Sequence, residues 1–199
     1  MAVPSLVATL RGLVRADHLV AGRLVLREED PQSTCGEVTL LKGRGDALLL
    51  QLDRPAVPVC GQRPCGLSNA SNRLIFPLFD ATRAGVTALC DFLMFYQRAP
   101  DAPVYTLMCE LKSSERPRGG AQIKNTSLLA DYLVSMAVHH GEVHATPAVH
   151  RRGLVFHTGG HAPKGNLHQL PCPFEPLAGS PIHFVQYRPG TYPLEHFCR

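Results

Sequence analysis

Two carboxylates and an amine lie inside the most hydrophobic segment of the chain, LCDFLMFYQRAPDAPVYTLMCELKSS, residues 89–114. Asp91 opens the first apolar run, whereas Glu110 and Lys112 end the second. If the runs are adjacent antiparallel strands, Asp91 lies opposite Cys109 or, after a shift of one residue, opposite Glu110. Glu110 and Lys112 are two residues apart, so they share one face of their strand. The pattern therefore predicts that charged groups converge at one edge of a sheet.

Such a cluster favours binding of a hard divalent cation. Carboxylates that converge in an apolar setting repel each other and lose hydration, which is unfavourable unless a cation separates them. Mg²⁺ fits because one or two carboxylates, water and phosphate oxygens are sufficient to hold it. Lys112 would then orient or deprotonate the attacking water, or stabilise negative charge that develops on phosphorus. Gln122 heads the apolar stripe of the next segment, so its amide is expected to point toward the sheet.

Asp91, the Glu110-Leu111-Lys112 triplet and Gln122 resemble the D…(D/E)xK…Q signature of the PD-(D/E)xK nuclease superfamily. The match looks close to small bacterial members of the restriction-endonuclease type. The resemblance implies that Asp91 and Glu110 bind Mg²⁺ or Mn²⁺, with the backbone carbonyl of Leu111 as a third ligand. It implies that Lys112 positions the water and that Gln122 orients Lys112 or a substrate phosphate.

Other residues around the signature are weaker candidates. Cys90 stands where the family name has Pro. Many members use an upstream acidic residue, for which Glu28 and Glu37 are the candidates, although neither lies in a convincing helix. Contacts to nucleic-acid phosphate are expected from three cations, which otherwise belong to a solvated surface: Arg116, Arg118 and Lys124.

The composition limits the classes of protein. A chain of 199 residues with 45% hydrophobic residues predicts a single domain over 1–199 with its own core. The net charge of +4 is compatible with an anionic partner. The sequence has no apolar run long enough for a membrane span, which needs about 18 residues. Seven cysteines at irregular spacings predict a reducing cytoplasm and no disulfide framework.

Hydrophobic periodicity predicts the elements that position the cluster. A helix follows Pro4, a strand lies in HLVAGRLVLRE, and EVTLLKGRGDALLLQLD reads as a hairpin around Gly43-Arg44-Gly45. Residues 54–73 are predicted to form a long loop or insertion. AQIKNTSLLADYLVSMAVHH is the clearest helix, with a stripe predicted to face the sheet: Gln122, Thr126, Leu129, Leu133 and Met136. Strands are also predicted in HATPAVHRRGLVFHT and PIHFVQYR, and a loop-rich region from about 158.

These elements predict an α/β (α+β) domain with a mixed central sheet of about four to five strands flanked by helices, restriction-endonuclease-like. The expected activity is metal-dependent hydrolysis of phosphodiester bonds, with DNA favoured over RNA on the resemblance alone. The resemblance also suggests a cytoplasmic enzyme of phage defence or DNA repair, acting as a homo-oligomer or with a partner protein.

Two alternatives are compatible with the sequence. One is a non-catalytic scaffold or binding module of the same fold. The other is a zinc-stabilised nucleic-acid binder that uses the histidine- and cysteine-rich second half, including Cys172 and seven histidines: His139, His140, His144, His150, His157, His161 and His168. Cys60 and Cys65 are further candidate ligands. No CxxC or HExxH spacing supports zinc, so most of these histidines are expected to face solvent.

Overall fold

The computed structural model describes residues 4–27, 35–52, 85–112, 120–141, 147–158 and 174–198. Within these residues the chain forms two α-helices, α1 (Leu6–Leu13) and α2 (Gly120–His140). The strands in the same residues are β1 (Leu24–Leu26), β2 (Val38–Leu41), β3 (Asp46–Gln51), β4 (Phe92–Gln97), β5 (Val104–Lys112), β6 (Val149–His157), β7 (Glu175–Pro176), β8 (His183–Tyr187) and β9 (Thr191–Pro193). Short 3-10 turns span Ala16–His18 and Leu194–Phe197.

The central element is a mixed sheet of six strands in the order β3-β4-β5-β6-β8-β7. β3, β4 and β5 form an antiparallel meander, and β6 and β8 then run parallel to β5. Helix α2 makes the crossover that the parallel β5–β6 pair requires. The predicted mixed sheet and α+β class are confirmed, but the predicted number of four to five strands is wrong. The two-residue edge strand β7 contains Pro176 and is too short to give a periodic signal.

A second sheet, in the order β1-β2-β9, takes the place of the predicted hairpin. β2 pairs with β1 and β9, whereas β3 pairs with β4, so the runs on either side of Gly43-Arg44-Gly45 belong to different sheets. Gly45 has a φ of 108°, and a Cβ there would lie 2.5 Å from the Gln97 carbonyl oxygen. Glycine therefore lets the chain pass close to the end of β4 as it changes sheet, and the hairpin prediction is wrong.

Apolar layers cover both faces of the six-stranded sheet. On one face, here called the helix-side face, α1 and α2 pack over β3, β4 and β5. Ser5 caps α1 by accepting a hydrogen bond from Ala8 N at 3.1 Å, and Leu6, Val7 and Leu10 turn inward. The small sheet and the C-terminal 3-10 turn cover the other face, here called the opposite face. Both helices therefore lie on the same side of the sheet.

Helix α2 confirms the predicted helix within one residue but presents a rotated stripe to the sheet. Thr126 and Leu129 are buried as predicted, and the rest of the buried stripe includes Ile123, Ala130, Val134 and Ala137. Leu133 and Met136 are only half-buried. At Gly153 an added Cβ would come within 2.9 Å of Ile123 Cδ1. The absence of a side chain there lets the helix pack close to β6, and this contact fixes its rotation.

Several sequence predictions fall on parts of the chain without described coordinates. The predicted loop over 54–73 lies outside the described residues. The region from about 158 was predicted to be rich in loops, and its described part, residues 174–198, contains three short strands and a 3-10 turn. No helix in the described ranges is long and apolar enough to cross a bilayer. The described cysteines are not in disulfides: Cys35, Cys90, Cys109 and Cys198.

Candidate functional site

The register of β4 and β5 brings the two carboxylates together. Gln97 pairs with Val104 and Phe92 pairs with Cys109, so the ladder ends directly before Asp91 on one strand and directly after Cys109 on the other, where Glu110 follows. The sequence left two registers open, with Asp91 opposite Cys109 or shifted by one residue, and the structure has the shifted one. Glu110 lies on the face where α2 packs, because Gln122 of that helix contacts its carboxylate.

Asp91 joins the two strands at the point where their ladder ends. Its carbonyl oxygen accepts a hydrogen bond from Leu52 N at 2.8 Å, which fixes its backbone to β3. Its Oδ2 accepts a hydrogen bond from Leu111 N at 2.6 Å. The side chain thus occupies a position next to the backbone of the ExK triplet. A short turn or an exposed cap would not hold the carboxylate against two neighbouring strands in this way.

Glu110 is the most deeply buried charged side chain of the cluster, with 1% of its surface exposed. Its Oε1 forms an ion pair with Lys112 Nζ and accepts a hydrogen bond from Gln122 Nε2 at 2.9 Å. Its Oε2 is also buried and has no hydrogen-bond partner among the described residues. One oxygen of the carboxylate is therefore hydrogen-bonded, and within the described residues the other makes no hydrogen bond of ordinary geometry.

Burial and charge act against each other in this cluster. Loss of hydration raises the pKa of Glu110, although the Lys112 ammonium, the nearby Cys90 thiol and the Asp91 backbone each lower it. Burial lowers the pKa of Lys112, but the hydrogen bond and charge of Glu110 outweigh it and raise that pKa overall. The lysine therefore carries a proton at neutral pH and, with 26% of its side chain exposed, faces the open side of the site.

Cys90 and Thr126 connect the start of β4 to helix α2. The Cys90 backbone N–H donates to Thr126 Oγ1 at 2.8 Å, and Thr126 is fully buried. Burial, with Glu110 next in importance, raises the pKa of the Cys90 thiol well above its usual value, so the thiol stays neutral. Because Gln122 and Thr126 are four residues apart on α2, one helix face reaches both the Glu110 carboxylate and the chain before Asp91.

The donor set fits a magnesium ion better than zinc. In the described part of the chain, no group of three His, Cys, Asp or Glu side chains could hold a metal. Structural zinc needs four nitrogen or sulfur ligands, whereas Mg²⁺ needs only one or two carboxylates together with water and substrate oxygens. The unpaired Oε2 of Glu110, beside Asp91, is an oxygen ligand of the required kind.

The remaining predicted site residues have different positions. The Leu111 side chain is buried in the opposite face, so only its backbone is directed to the site. Lys124 Nζ donates to the Ala178 carbonyl at 2.8 Å, in the turn before β8. Glu37 forms an ion pair with Arg27 next to β2, in the layer that covers the opposite face. Arg116, Arg118 and Glu28 lie outside the described residues.

One residue that sequence reasoning left among the solvent-facing histidines lies next to the cluster. His157 ends β6 and pairs directly with Lys112 in the parallel register. It is 4% exposed and so is not among the histidines that face solvent. The sequence contained a signal for this position. β5 ends in ELK and β6 ends in VFH, and parallel strands joined by one helix bring their carboxyl ends to the same edge of the sheet.

Comparison of the chain with protein-family models, curated proteins and solved structures finds no match.

Proposed function

We propose that the chain is a metal-dependent nuclease that hydrolyses phosphodiester bonds, with Mg²⁺ or Mn²⁺ as its cofactor and DNA as its substrate. The observation that carries this proposal is the environment of Glu110. A nearly fully buried carboxylate contacts Lys112 and Gln122, and one of its oxygens has no hydrogen-bond partner among the described residues. A buried unpaired oxygen is unfavourable in a purely structural network, but it is required of a metal ligand.

Asp91 and Glu110 would hold the ion, and Leu111 would contribute its carbonyl oxygen. In an antiparallel ladder the N–H and C=O of one residue face the same neighbouring strand. Since Leu111 N–H donates to Asp91, its carbonyl also faces the Asp91 side of β5. The bound metal would polarise a phosphoryl oxygen and lower the pKa of a coordinated water.

Lys112 and Gln122 have complementary roles in this proposal. The Lys112 ammonium is held by Glu110 but remains partly exposed, so it is available to a water or a phosphate oxygen on the open side. Its positive charge would stabilise the charge that accumulates on phosphorus. Gln122 keeps the Glu110 carboxylate in place through Oε1, which leaves Oε2 directed to the ligand. The amide therefore positions the carboxylate and the lysine with a single hydrogen bond.

The substrate side of the proposal rests on charge and access. The net charge of +4 favours a polyanion, and Lys112 faces the open side of the site. Arg116, Arg118 and Lys124 are proposed phosphate contacts. Lys124 would first have to release the Ala178 carbonyl, or contact the phosphate with a second N–H of the ammonium. A cytoplasmic role in phage defence or DNA repair, as a homo-oligomer or with a partner protein, belongs to the same proposal.

The test is cleavage of linear, circular and single-stranded DNA and of RNA with Mn²⁺, Mg²⁺ or a chelator. We expect cleavage of DNA that requires metal and that disappears in Asp91→Asn and Lys112→Met. Asp17→Asn is the matched control, because Asp17 forms an exposed ion pair with Arg15 away from the site. Metal-independent cleavage, or equal activity in Asp91→Asn and Asp17→Asn, would reject the assigned site.

A second measurement separates the alternatives. Metal content of the purified protein distinguishes a magnesium site, which releases its ion on dialysis, from structural zinc, which remains bound at about one ion per chain. Folded protein with no bound zinc and no cleavage of any substrate would favour the non-catalytic scaffold.

A further inference from the structure

His157 occupies the position next to Lys112 on the same face of the sheet. The two residues are directly paired in the parallel register of β5 and β6, and Glu110 pairs with Val155 two residues earlier. Val155 packs in the core of the helix-side face. Since side chains alternate along a strand, His157 is on that face as well. Neighbouring strands lie about 4.8 Å apart, so the imidazole and the lysine stem start side by side.

The imidazole is buried and has no hydrogen-bond partner in the part of the chain that the structure describes. Neither Nδ1 nor Nε2 of His157 has a hydrogen-bond partner among the described residues, although the side chain is only 4% exposed. A buried polar group that loses hydration without a replacement costs about 1–3 kcal/mol. The other buried histidine, His196, shows the usual solution, because its Nε2 is 2.9 Å from Tyr187 Oη. His157 thus resembles a group whose partner arrives with a ligand.

The nature of that ligand follows from the neighbours. Within the described residues His157 belongs to no group of three metal-binding side chains. Its closest strand neighbour on this face is Lys112, a cation already paired with Glu110. An imidazole beside an ammonium favours an anion that accepts hydrogen bonds from both. Phosphate oxygens are strong acceptors of this kind.

We propose that His157 binds a non-bridging oxygen of the substrate phosphate, next to Lys112, and donates a ring N–H to it. The inference rests on the proposed nuclease function and names one more substrate-contacting residue for it. The histidine has no part in holding the metal. Its hydrogen bond orients the phosphate against the water that Lys112 positions, and it strengthens as negative charge grows on the phosphoryl oxygens.

The experiment compares His157→Ala and His157→Gln with His150→Ala, a control of the same residue type on the same strand that is exposed. In single-turnover cleavage with Mn²⁺, His157→Ala should be slower by about 100-fold, as expected for one positioned donor. His157→Gln should recover part of the rate because its amide can donate, and His150→Ala should match the wild type. The melting temperature of His157→Gln, which leaves a smaller cavity than alanine, should stay close to that of the wild type.

A second readout does not depend on cleavage. With ¹⁵N-labelled histidine and no divalent metal, a 5′-phosphorylated DNA oligonucleotide should shift the ring nitrogen signals of His157 and leave those of His196 unchanged. If the wild type shows this shift but cleaves nothing, the nuclease proposal fails and the phosphate contact stands. Absence of the shift, or full cleavage activity in His157→Ala, overturns the inference and leaves the nuclease proposal intact. A melting temperature that falls together with activity in both variants also overturns it, because the residue would then be structural.

Discussion

The two faces of the six-stranded sheet are built from alternate residues of the same strands, yet they differ in how they treat polar groups. On the opposite face the rings of Phe156, Tyr187, Tyr192 and Phe197 pack together, with centroids from 5.2 Å to 6.4 Å apart. The buried His196 in this layer is hydrogen-bonded to Tyr187. This face is closely packed, as expected of a structural core.

The helix-side face is equally apolar over most of its area but ends in charge. At the carboxyl end of β5 and β6 it contains the partly exposed Lys112, and Glu110 Oε2 and the His157 ring there have no hydrogen-bond partner among the described residues. Burial alone therefore does not separate a core from a site. Buried polar atoms without a described hydrogen-bond partner also occur at Gln97 and Thr106, away from this edge. The edge differs because two such groups lie beside the Glu110–Lys112 ion pair.

The largest effect is expected from Glu110→Gln. Cleavage should fall by at least about 1000-fold, because the metal provides several kcal/mol and each 1.36 kcal/mol is a factor of ten. In metal-free buffer the melting temperature should stay constant or rise, since a buried charge is replaced by a neutral amide. Glu37→Gln, in its exposed pair with Arg27, is the control and should change neither quantity. Unfolding of Glu110→Gln would mean that the residue is a structural partner of Lys112.

Phe156→Ala should lower the stability of the fold and leave the activity of the folded protein unchanged. Phe156 precedes His157 on β6 but is fully buried in the opposite face. Its truncation should lower the free energy of unfolding by about 3–5 kcal/mol, as for other buried aromatic residues, while the folded fraction keeps its activity. Phe156→Leu should cost less because it leaves a smaller cavity. Denaturant titration measures both values, and a loss under about 1 kcal/mol for alanine would contradict close packing on this face.

Gln122→Ala should have an intermediate effect on catalysis only. Removing one positioned polar group should slow single-turnover cleavage by about 10- to 1000-fold. The affinity for Mn²⁺ should be nearly unchanged, because Gln122 contacts Oε1 of Glu110 and leaves Oε2 to the metal. Tyr132→Ala, an exposed position on the same helix, is the control. Full activity of Gln122→Ala at every Mn²⁺ concentration would restrict the site to Asp91, Glu110 and Lys112.

The smallest effect concerns how folding stability depends on pH, to which Glu110 and Asp46 contribute with opposite signs. The folded pKa of Glu110 is raised above 4.5, so its contribution to stability is greatest below that pH and falls as pH rises through the folded pKa. The hydrogen bond from Arg11 lowers the pKa of Asp46 below 3.8, so its contribution is present above that pH and is lost as pH falls.

Unfolding free energies of the wild type, Glu110→Gln and Asp46→Asn across acid pH measure the two terms. The wild type should lose stability relative to Glu110→Gln as pH rises above 4.5. Relative to Asp46→Asn it should gain no more than about 1 kcal/mol as pH rises, because the Arg11 pair is partly exposed. A wild-type advantage over Glu110→Gln that grows with pH would show that Lys112 outweighs the cost of burying Glu110.

Local signals in the sequence were sufficient for the elements next to the site. The predicted β5 has the observed bounds, Val104–Lys112, and α2 begins one residue before the predicted helix. Both are long segments with a strong apolar pattern, and such patterns depend only on neighbouring residues. The hairpin was wrong because turn residues such as Gly43 and Gly45 allow a sharp bend but do not determine which strand each run pairs with.

The sequence by itself determined that Asp91, Glu110, Lys112 and Gln122 would be close to the ends of two strands and the start of a helix. The register was decided only by the tertiary structure. β4 and most of β5 are buried on both faces, so no alternation of polar and apolar residues distinguishes one register from the next. The position of His157 was decided in the same way, because a parallel partner is set by how α2 packs across the sheet. That packing depends on contacts between distant residues, such as Ile123 against Gly153, which no local pattern encodes.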